Sequence, residues 1–341
     1  MKKQTLCLIF GGSSQEYLVS LKSCACILKH INREKYEIYK IGITKDGKWY
    51  LYKGDENKIK EDKWEEDLKI PLSASLTTGE LICYDKGETR IKPDIVFPII
   101  HGAYGEDGRL RGLFDAMGIS CVGCPAEAGA ITINKYVTKL IARENSVPVA
   151  DFYLVNKNDE WEKYIYKKGE SLGYPLFVKA VNLGSSIGVY RVKGENELIP
   201  NMKKAFEYSD CVLMEREITG VETEIALLEK NGEIAFGKVG QIRHGGDFYS
   251  YGEKYSSCKT ELIIPAKISS ECENRIKEYA KRIFRATGCH GMCRADFFVT
   301  EEGDVIFNEV NTVPGFTSGS MYPLLMGENG DVSSLIDLIL A

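Results

Sequence analysis

No apolar run in the sequence approaches the ~20 residues that a helix needs to cross a bilayer, which excludes an α-helical membrane protein. The opening "MKKQTLCLIF" passes from two lysines and a short apolar run straight to glycines, with no small-residue cleavage site to complete a secretory signal. A cytoplasmic protein with no membrane partner is the expectation. Positive charge is not in excess either: 44 Lys and Arg against 49 Asp and Glu leave a net charge of -5, which supplies no electrostatic basis for a nucleic-acid partner. Internal repeats and low-complexity tracts are missing. The 11 cysteines are scattered and odd in number, unlike a disulfide framework, and read as reduced thiols. Cys121 and Cys124 have metal-like spacing, but no second pair or suitably spaced histidine accompanies them. They, with Cys289, His290 and Cys293, read as buried structural residues, and no zinc is expected.

What is present is a chain of 341 residues with 44% hydrophobic and 27% charged residues, enough for two or three soluble domains. Residues 6–10 read as a buried strand, followed by a helix with Leu18, Leu21, Ala25 and Leu28 on one face. "YEIYKIGIT" and "DIVFPII" supply further strands, so the first ~120 residues predict an alternating α/β layer. The charged stretch 54–69 reads as a solvated insertion. Beyond "CVGCP", "NKYVTKLIARENSV" is helical, and "YPLFVKAV", "NLGSSIG" and "VYRV" form a hairpin, with a helix over 195–208 whose start Pro200 would mark. The last third carries Asn231-Gly232 and Glu302-Gly303 between apolar runs, predicting an antiparallel sheet with the helix "CENRIKEYAKRIFRATG" against it. The fold class is α/β with α+β in three modules: 1–123, 124–214 and 215–341.

Four clusters carry chemistry. In "RADFFVTEEGDVIFNEVN", Asp296 faces Glu309 and Asn311 across a hairpin, an oxygen set suited to a hard cation such as Mg²⁺, or else an exposed polar face. In "FVKAVNLGSSIGV", Lys179 precedes a Gly-Ser loop able to cover phosphates, though its spacing is not that of a P-loop and a plain hairpin turn is the alternative. "HGAYGEDG" ends a strand where ligand-contacting loops belong, and His101 within it also suits a structural role. "GGDFYSYGEKYSS" sets Tyr249, Tyr251 and Tyr255 around Lys254 in a lid-like loop. A fifth feature is the Gly11-Gly12 corner, which resembles an anion seat except that Glu16 would repel an anion there.

In this order, "GGSSQEYLVSL", "HGAYGEDG", "NKYVTK", "VKAVNLGSSIGV", "EREITGVETEIALL", "DFYSYGEKY", "CRADFF" and "NEVNTVPGFTSGS" resemble the D-alanine-D-alanine ligase family over essentially the whole chain. These are ATP-grasp enzymes of peptidoglycan precursor synthesis. "IGITKDGKWYLY" and "FNEVNTVPGFTS" look particularly like the D-alanine-D-serine ligases of vancomycin resistance, a branch of the same family. The resemblance implies a three-module ATP-grasp fold and a homodimer formed through the N-terminal module. It implies ATP between the second and third modules, with Lys135 and Lys179 on phosphates, Glu215, Glu217 and Ile218 along the adenine, and Glu222 on the ribose. Ser185, Ser186 and Lys254 border the same nucleotide, and Asp296, Glu309 and Asn311 would bind two Mg²⁺ ions, replaceable by Mn²⁺.

By the same resemblance Glu16 holds the ammonium of the first D-alanine, with Ser185 and Tyr255 as hydrogen-bonded companions and His101 near that ligand's carboxylate. Arg294 and the Gly315 N–H would stabilise an oxyanion, and Ser320 and Lys254 would receive the carboxylate of the second substrate. The chain departs from the family pattern at Ala180, where many members have proline, and at Leu18, where many have a second glutamate. Tyr255 argues for an amine nucleophile over D-lactate. Met321 beside Ser320 favours D-alanine as second substrate, whereas the overall resemblance favours D-serine. A nicotinamide dehydrogenase is disfavoured because Gly11-Gly12 lacks the G-x-G-x-x-G fingerprint. A catalytically dead relative is disfavoured because Lys179, Arg294, Asp296 and Glu309 are all present.

Overall fold

The apolar run Leu6–Phe10 is wholly buried and forms the centre of strand β1 (Gln4–Gly11) in the computed structural model, which describes residues 2–243, 261–327 and 331–341. A continuous apolar run suits a strand covered on both faces. β1 pairs in parallel with β2 (Tyr36–Ile43) on one side and β7 (Ile95–Pro98) on the other. β8 (Ser120–Cys121) extends the parallel half. Beyond β2, strands β3 (Trp49–Tyr52), β4 (Lys69–Ser75), β5 (Glu80–Cys83) and β6 (Arg90–Ile91) add an antiparallel meander, giving the order β6-β5-β4-β3-β2-β1-β7-β8. The chain leaves β1 for neighbours on opposite sides, so the C-terminal ends of β1 and β7 flank a switch point, the usual ligand position in open α/β sheets. Gly11 makes the exit: its φ is +90°, and a Cβ there would lie 2.1 Å from the Ile43 carbonyl oxygen.

Two expectations for this module need correction. Helix α1 (Tyr17–His30) buries Tyr17, Leu21, Cys24, Ile27 and Leu28, whereas Leu18 is 51% exposed. The buried stripe is rotated because Tyr17 turns inward, its hydroxyl accepting the Trp64 Nε1–H at 2.7 Å. That tryptophan lies within the charged stretch 54–69, which is therefore not a solvated insertion. It holds helix α2 (Glu56–Lys60) and one turn at Trp64–Glu66, and Trp64 is fully buried, edge-on to Phe10 with ring centroids 5.1 Å apart. Two apolar residues, Ile59 and Trp64, anchor the segment despite the charges around them.

Helices α3 (Arg109–Ala116), α4 (Ala126–Ile133) and α5 (Lys135–Glu144) lead to the second sheet, and the Asn134 side chain caps α5 by accepting from the Val137 N–H at 3.0 Å. This sheet combines β9 (Phe152–Asn156), β10 (Leu176–Ala180), β11 (Val189–Val192) and β12 (Cys211–Arg216) in the order β11-β10-β12-β9, all antiparallel. Helices α6 (Ile165–Leu172) and α7 (Glu195–Ala205) cover one face. Pro200 is the sixth residue of α7 and does not mark its start. Leu198, Met202 and Ala205 on the buried face hold the helix through the proline.

The third sheet runs β15 (Glu261–Ile263), β14 (Glu233–Arg243), β13 (Val221–Lys230), β16 (Met292–Val299), β17 (Val305–Asn311), with antiparallel neighbours throughout. Asn231 and Gly232 join β13 to β14 with φ of 54° and 82°, the two left-handed positions of a type I′ turn. Helix α8 (Ser270–Ala286), capped by Ser269, packs Ile276, Ala280, Ile283 and Phe284 against Ile225, Ala295 and Phe307. The chain ends in helices α9 (Met321–Met326) and α10 (Val332–Leu340), whose Tyr322, Leu325 and Ile336 share a core with Leu6, Phe10 and Ile27 of the first module.

Candidate active site

At the end of β1, Glu16 occupies the cap of α1, and its carboxylate accepts the hydroxyl of Ser185. Ser185 comes from the loop 181–188 joining β10 to β11, where Ser185 and Ser186 both have positive φ, 52° and 58°. Consecutive left-handed non-glycine residues cost free energy and collect at functional sites. Gly102 stands opposite with φ +70°, and a Cβ there would fall 2.7 Å from Glu16 Oε2, so glycine makes room for that carboxylate.

His101 is buried with both ring nitrogens engaged: Nδ1 lies 2.7 Å from the Val313 carbonyl oxygen and Nε2 3.0 Å from Ser23 Oγ. Nδ1–H donates to the carbonyl and the Ser23 hydroxyl donates to Nε2, which is the neutral tautomer, and burial also pushes the imidazolium form down. The ring thus ties the 101–108 loop to the 313–316 segment. Beside it Glu106 is only 8% exposed, and burial, then the Glu16 charge, push its carboxyl up to about 8. Glu16, His101, Glu106, Ser185, Arg294, Asn311, Gly315, Ser320 and Met321 line one cavity of about 310 Å³.

Arg294 leads this cavity toward the acids. It donates from Nε and Nη2 to the two oxygens of Asp296, both at 2.8 Å, and its Nε lies 3.0 Å from Glu224 Oε2. Burial opposes its charge, but Asp296 and Glu224 outweigh that and hold the guanidinium well above its usual range. In the β16–β17 ladder Asp296 stands opposite Glu309 and Arg294 opposite Asn311, with a bulge immediately after the acids. Asn311 Nδ2 donates to Asp296 Oδ2 at 3.0 Å, and Lys135 Nζ is 2.9 Å from Glu309 Oε2. The hairpin acids are therefore inside a cleft, Asp296 being almost wholly buried, and the exposed polar face is excluded.

A second cavity of about 270 Å³ opens between the central and C-terminal sheets. Phe177, Val189, Ile218, Phe298 and Ile306 give it apolar walls, and Lys179, Ser186, Glu215, Glu217 and Glu222 bring polar groups to it. Such a slot suits a flat ring with charged substituents. Lys179 and Glu215 are ion-paired, Lys139 Nζ meets Glu215 Oε1 at 2.5 Å, and Arg191 grips Glu217 through Nε and Nη2 at 3.0 Å. Burial disfavours the Glu215 charge, but Lys139 and then Lys179 overcome it and hold the carboxyl down at about 2. The cavities share a wall: Ser185 lines one and Ser186 the other, as do Asn311 and Asn308.

Two family models cover nearly the whole chain: the D-ala D-ala ligase N-terminus matches residues 5–124 and the D-ala D-ala ligase C-terminus residues 141–341. The chain belongs to the D-alanine-D-alanine ligase family. Among its relatives, D-alanine-D-alanine ligase B of Clostridium tetani is 41% identical, across 99% of this chain and 92% of that protein. The D-alanine-D-alanine ligase of Caldicellulosiruptor bescii is 40% identical, across 100% of this chain and 95% of its own. In structure, the VanG D-Ala:D-Ser ligase of Enterococcus faecalis superposes with a TM-score of 0.89 at 37% identity, covering 99% of this chain and 100% of its own. The D-alanine-D-alanine ligase of Coxiella burnetii superposes at 0.83 with 30% identity, over 99% and 94% of the two chains. The three-sheet architecture is that of these ATP-grasp ligases.

Of the residues singled out from the family resemblance, Lys254 and Tyr255 lie outside the described residues, as do Tyr249 and Tyr251. The others cluster around the two cavities and the acids between them. Sequence reasoning missed Glu106, Lys139, Arg191 and Glu224. Two had a readable signal: Glu224 is two residues from Glu222 on one strand face, and Lys139 is four from Lys135 on one helix face. Among the described residues no three His, Cys, Asp or Glu side chains group as a metal site. The hairpin instead offers two carboxylates and an amide, about half the oxygens of an octahedral Mg²⁺, which leaves positions for phosphate oxygens and water.

Proposed function

We propose that the protein is an ATP-dependent ligase that joins two D-alanines into D-alanyl-D-alanine through an acyl phosphate, for peptidoglycan precursor synthesis. The observation that carries this reading is the wall shared by the two cavities. A slot suited to a nucleotide, with the half-buried Lys179 in its lining, adjoins, across Ser185 and Ser186, a cavity that offers Glu16 to an ammonium and Arg294 to an oxyanion.

In this reading Lys135 and Lys179 turn from their carboxylate partners Glu309 and Glu215 to the ATP phosphates, while Lys139 stays on Glu215 and keeps it in place. Glu215, Glu217 and Ile218 border the adenine, Glu222 the ribose, and Ser186 the phosphates. Asp296, Glu309 and Asn311 would hold Mg²⁺, which when bound offsets charge on the phosphoryl group in transfer. Glu16 and Ser185 orient the first D-alanine by its ammonium so that its carboxylate takes the γ-phosphoryl and ADP leaves. The amine of the second D-alanine attacks the acyl carbon, Arg294 and the Gly315 N–H meet the oxyanion, and phosphate departs as the amide forms. Ser320, set against Thr317 at 2.8 Å, receives the second carboxylate.

Met321, Ile242 and Leu262 line the amino-acid cavity with apolar surface and offer no partner to a substrate hydroxyl, which supports D-alanine at the second position. D-serine is the second reading, favoured by the similarity to the enterococcal D-Ala:D-Ser ligase. Phosphate release from ATP and Mg²⁺ with D-alanine alone, compared with D-alanine plus D-serine, separates the two: strong release with D-alanine alone is expected, and release only with D-serine present would reverse the assignment. No helix among the described residues is long and apolar enough to cross a membrane. A cytoplasmic homodimer joined through its N-terminal module completes the proposal, together with module boundaries near residues 123 and 214.

A further inference from the structure

Behind the slot proposed for the nucleotide, one fully buried ammonium joins both of its walls. From helix α5, Lys139 Nζ comes within 2.5 Å of Glu215 Oε1 on β12 and donates to the Asn308 carbonyl on β17 at 3.1 Å. Glu215 and Asn308 both line the slot, one from the central sheet and one from the C-terminal sheet. Lys139 therefore spans the joint from the rear. One helical turn earlier Lys135 makes a second span, donating to the Leu183 carbonyl at 2.6 Å and lying 2.9 Å from Glu309 Oε2.

Glu215 divides its carboxylate between two lysines: Oε1 faces Lys139, and Oε2 accepts from Lys179 on β10. Their access differs. Lys179 lines the slot, whereas Lys139 has 1% of its surface exposed and stands behind Glu215. An anion that enters the slot can draw Lys179 away but cannot reach Lys139. If Lys179 were the sole partner, its departure would strand a carboxylate that is itself buried, and a buried charge without a counter-ion is strongly unfavourable. With Lys139 in place, Glu215 keeps an opposite charge after Lys179 has turned.

We propose that Lys139 is a positioning residue for nucleotide capture: it compensates Glu215 from behind, so that Lys179 can pass to the phosphates. This role rests on the slot being the ATP site. Lys139 touches no substrate and acts only through Glu215 and Lys179. Two consequences separate the role from plain packing. Loss of Lys139 weakens ATP binding far more than D-alanine binding, and that loss disappears when the Glu215 charge is removed as well, because no carboxylate then competes for Lys179.

The test is a double-mutant cycle on the full chain: wild type, Lys139→Met, Glu215→Gln and the double variant, with Lys139→Arg as the conservative replacement. ATP affinity is read by calorimetry, KM values for ATP and D-alanine by phosphate release, and folding by circular dichroism. In the native background Lys139→Met is expected to weaken ATP binding about tenfold or more, with the KM for D-alanine moving less than about twofold. In the Glu215→Gln background the same substitution is expected to cost less than about threefold, and Lys139→Arg to bind ATP within about threefold of wild type. Unchanged ATP affinity in Lys139→Met, an equal rise in both KM values, or the same loss in both backgrounds overturns the role. Should Lys139→Met not fold, Lys139→Gln, which keeps a donor for the Asn308 carbonyl but not the charge, takes its place in the cycle with the same outcomes. Wild-type protein that binds no ATP overturns the nucleotide reading together with this role, whereas wild-type binding that Lys139→Met leaves intact overturns this role alone.

Discussion

Glu16, at the cap of α1, accepts the hydroxyl of Ser185 from the loop between β10 and β11, so its carboxyl is held in position before any ligand arrives. Its place at a glycine corner looked like a spoiled phosphate seat. In the proposed reading it is a seat for a cation, and Gly102 leaves room for its carboxylate. Glu16→Gln is expected to raise the KM for the first D-alanine by about 10- to 100-fold, the worth of one hydrogen bond to a charged group. ATP affinity, read by calorimetry, should change by less than about twofold; an equal loss of both contradicts the assignment. Glu106 gives a pH prediction. Its carboxyl is raised from the ordinary 4.5 to about 8, so the folded state holds a proton that the unfolded state has released between those values. Stability from this group is full below about 4.5 and declines as pH rises toward 8. Glu106→Gln should flatten that part of the melting-temperature profile, and an unchanged slope would refute it.

At the scale of elements, most strands and both late hairpins were legible because their signals are local. Asn231-Gly232 needs two left-handed residues and has them, and the alternation around Asp296 and Glu309 puts both on one face. What was not legible depends on partners far away in sequence. Trp64 is buried only because β1 and β3 present Phe10 and Tyr52 to it, so its charged neighbours hid it. Trp64→Ala is expected to cost about 3 to 5 kcal/mol, measured as a fall in denaturant midpoint, whereas a truly solvated segment would lose almost nothing. Lys139 was missed for the same reason, since its partner Glu215 sits on another element. Lys139→Met removes half of a fully buried pair and should cost about 3 to 5 kcal/mol, again read from denaturant unfolding. His101 carried a substrate-proximal expectation, and its two internal hydrogen bonds show a loop-anchoring contribution that no spacing rule contains.

Across the whole molecule, the first and third modules share one core, with α9 and α10 packed into residues of β1 and α1. The cavity proposed for the amino acids lies along that joint, drawing Glu16 and Glu106 from one module and Arg294 and Ser320 from the other. The cavity proposed for the nucleotide lies along the second joint, between the central and C-terminal sheets. Loop 181–188 touches both, and in the proposed reading a phosphoryl donor in one cavity meets there a carboxylate held in the other. The measurement that tests this most directly supplies D-alanine labelled with ¹⁸O in its carboxylate and analyses the phosphate released with ATP and Mg²⁺. An acyl-phosphate ligase transfers one labelled oxygen to phosphate for each dipeptide formed. Phosphate that carries no label, or that is released at the same rate without D-alanine, would contradict the account.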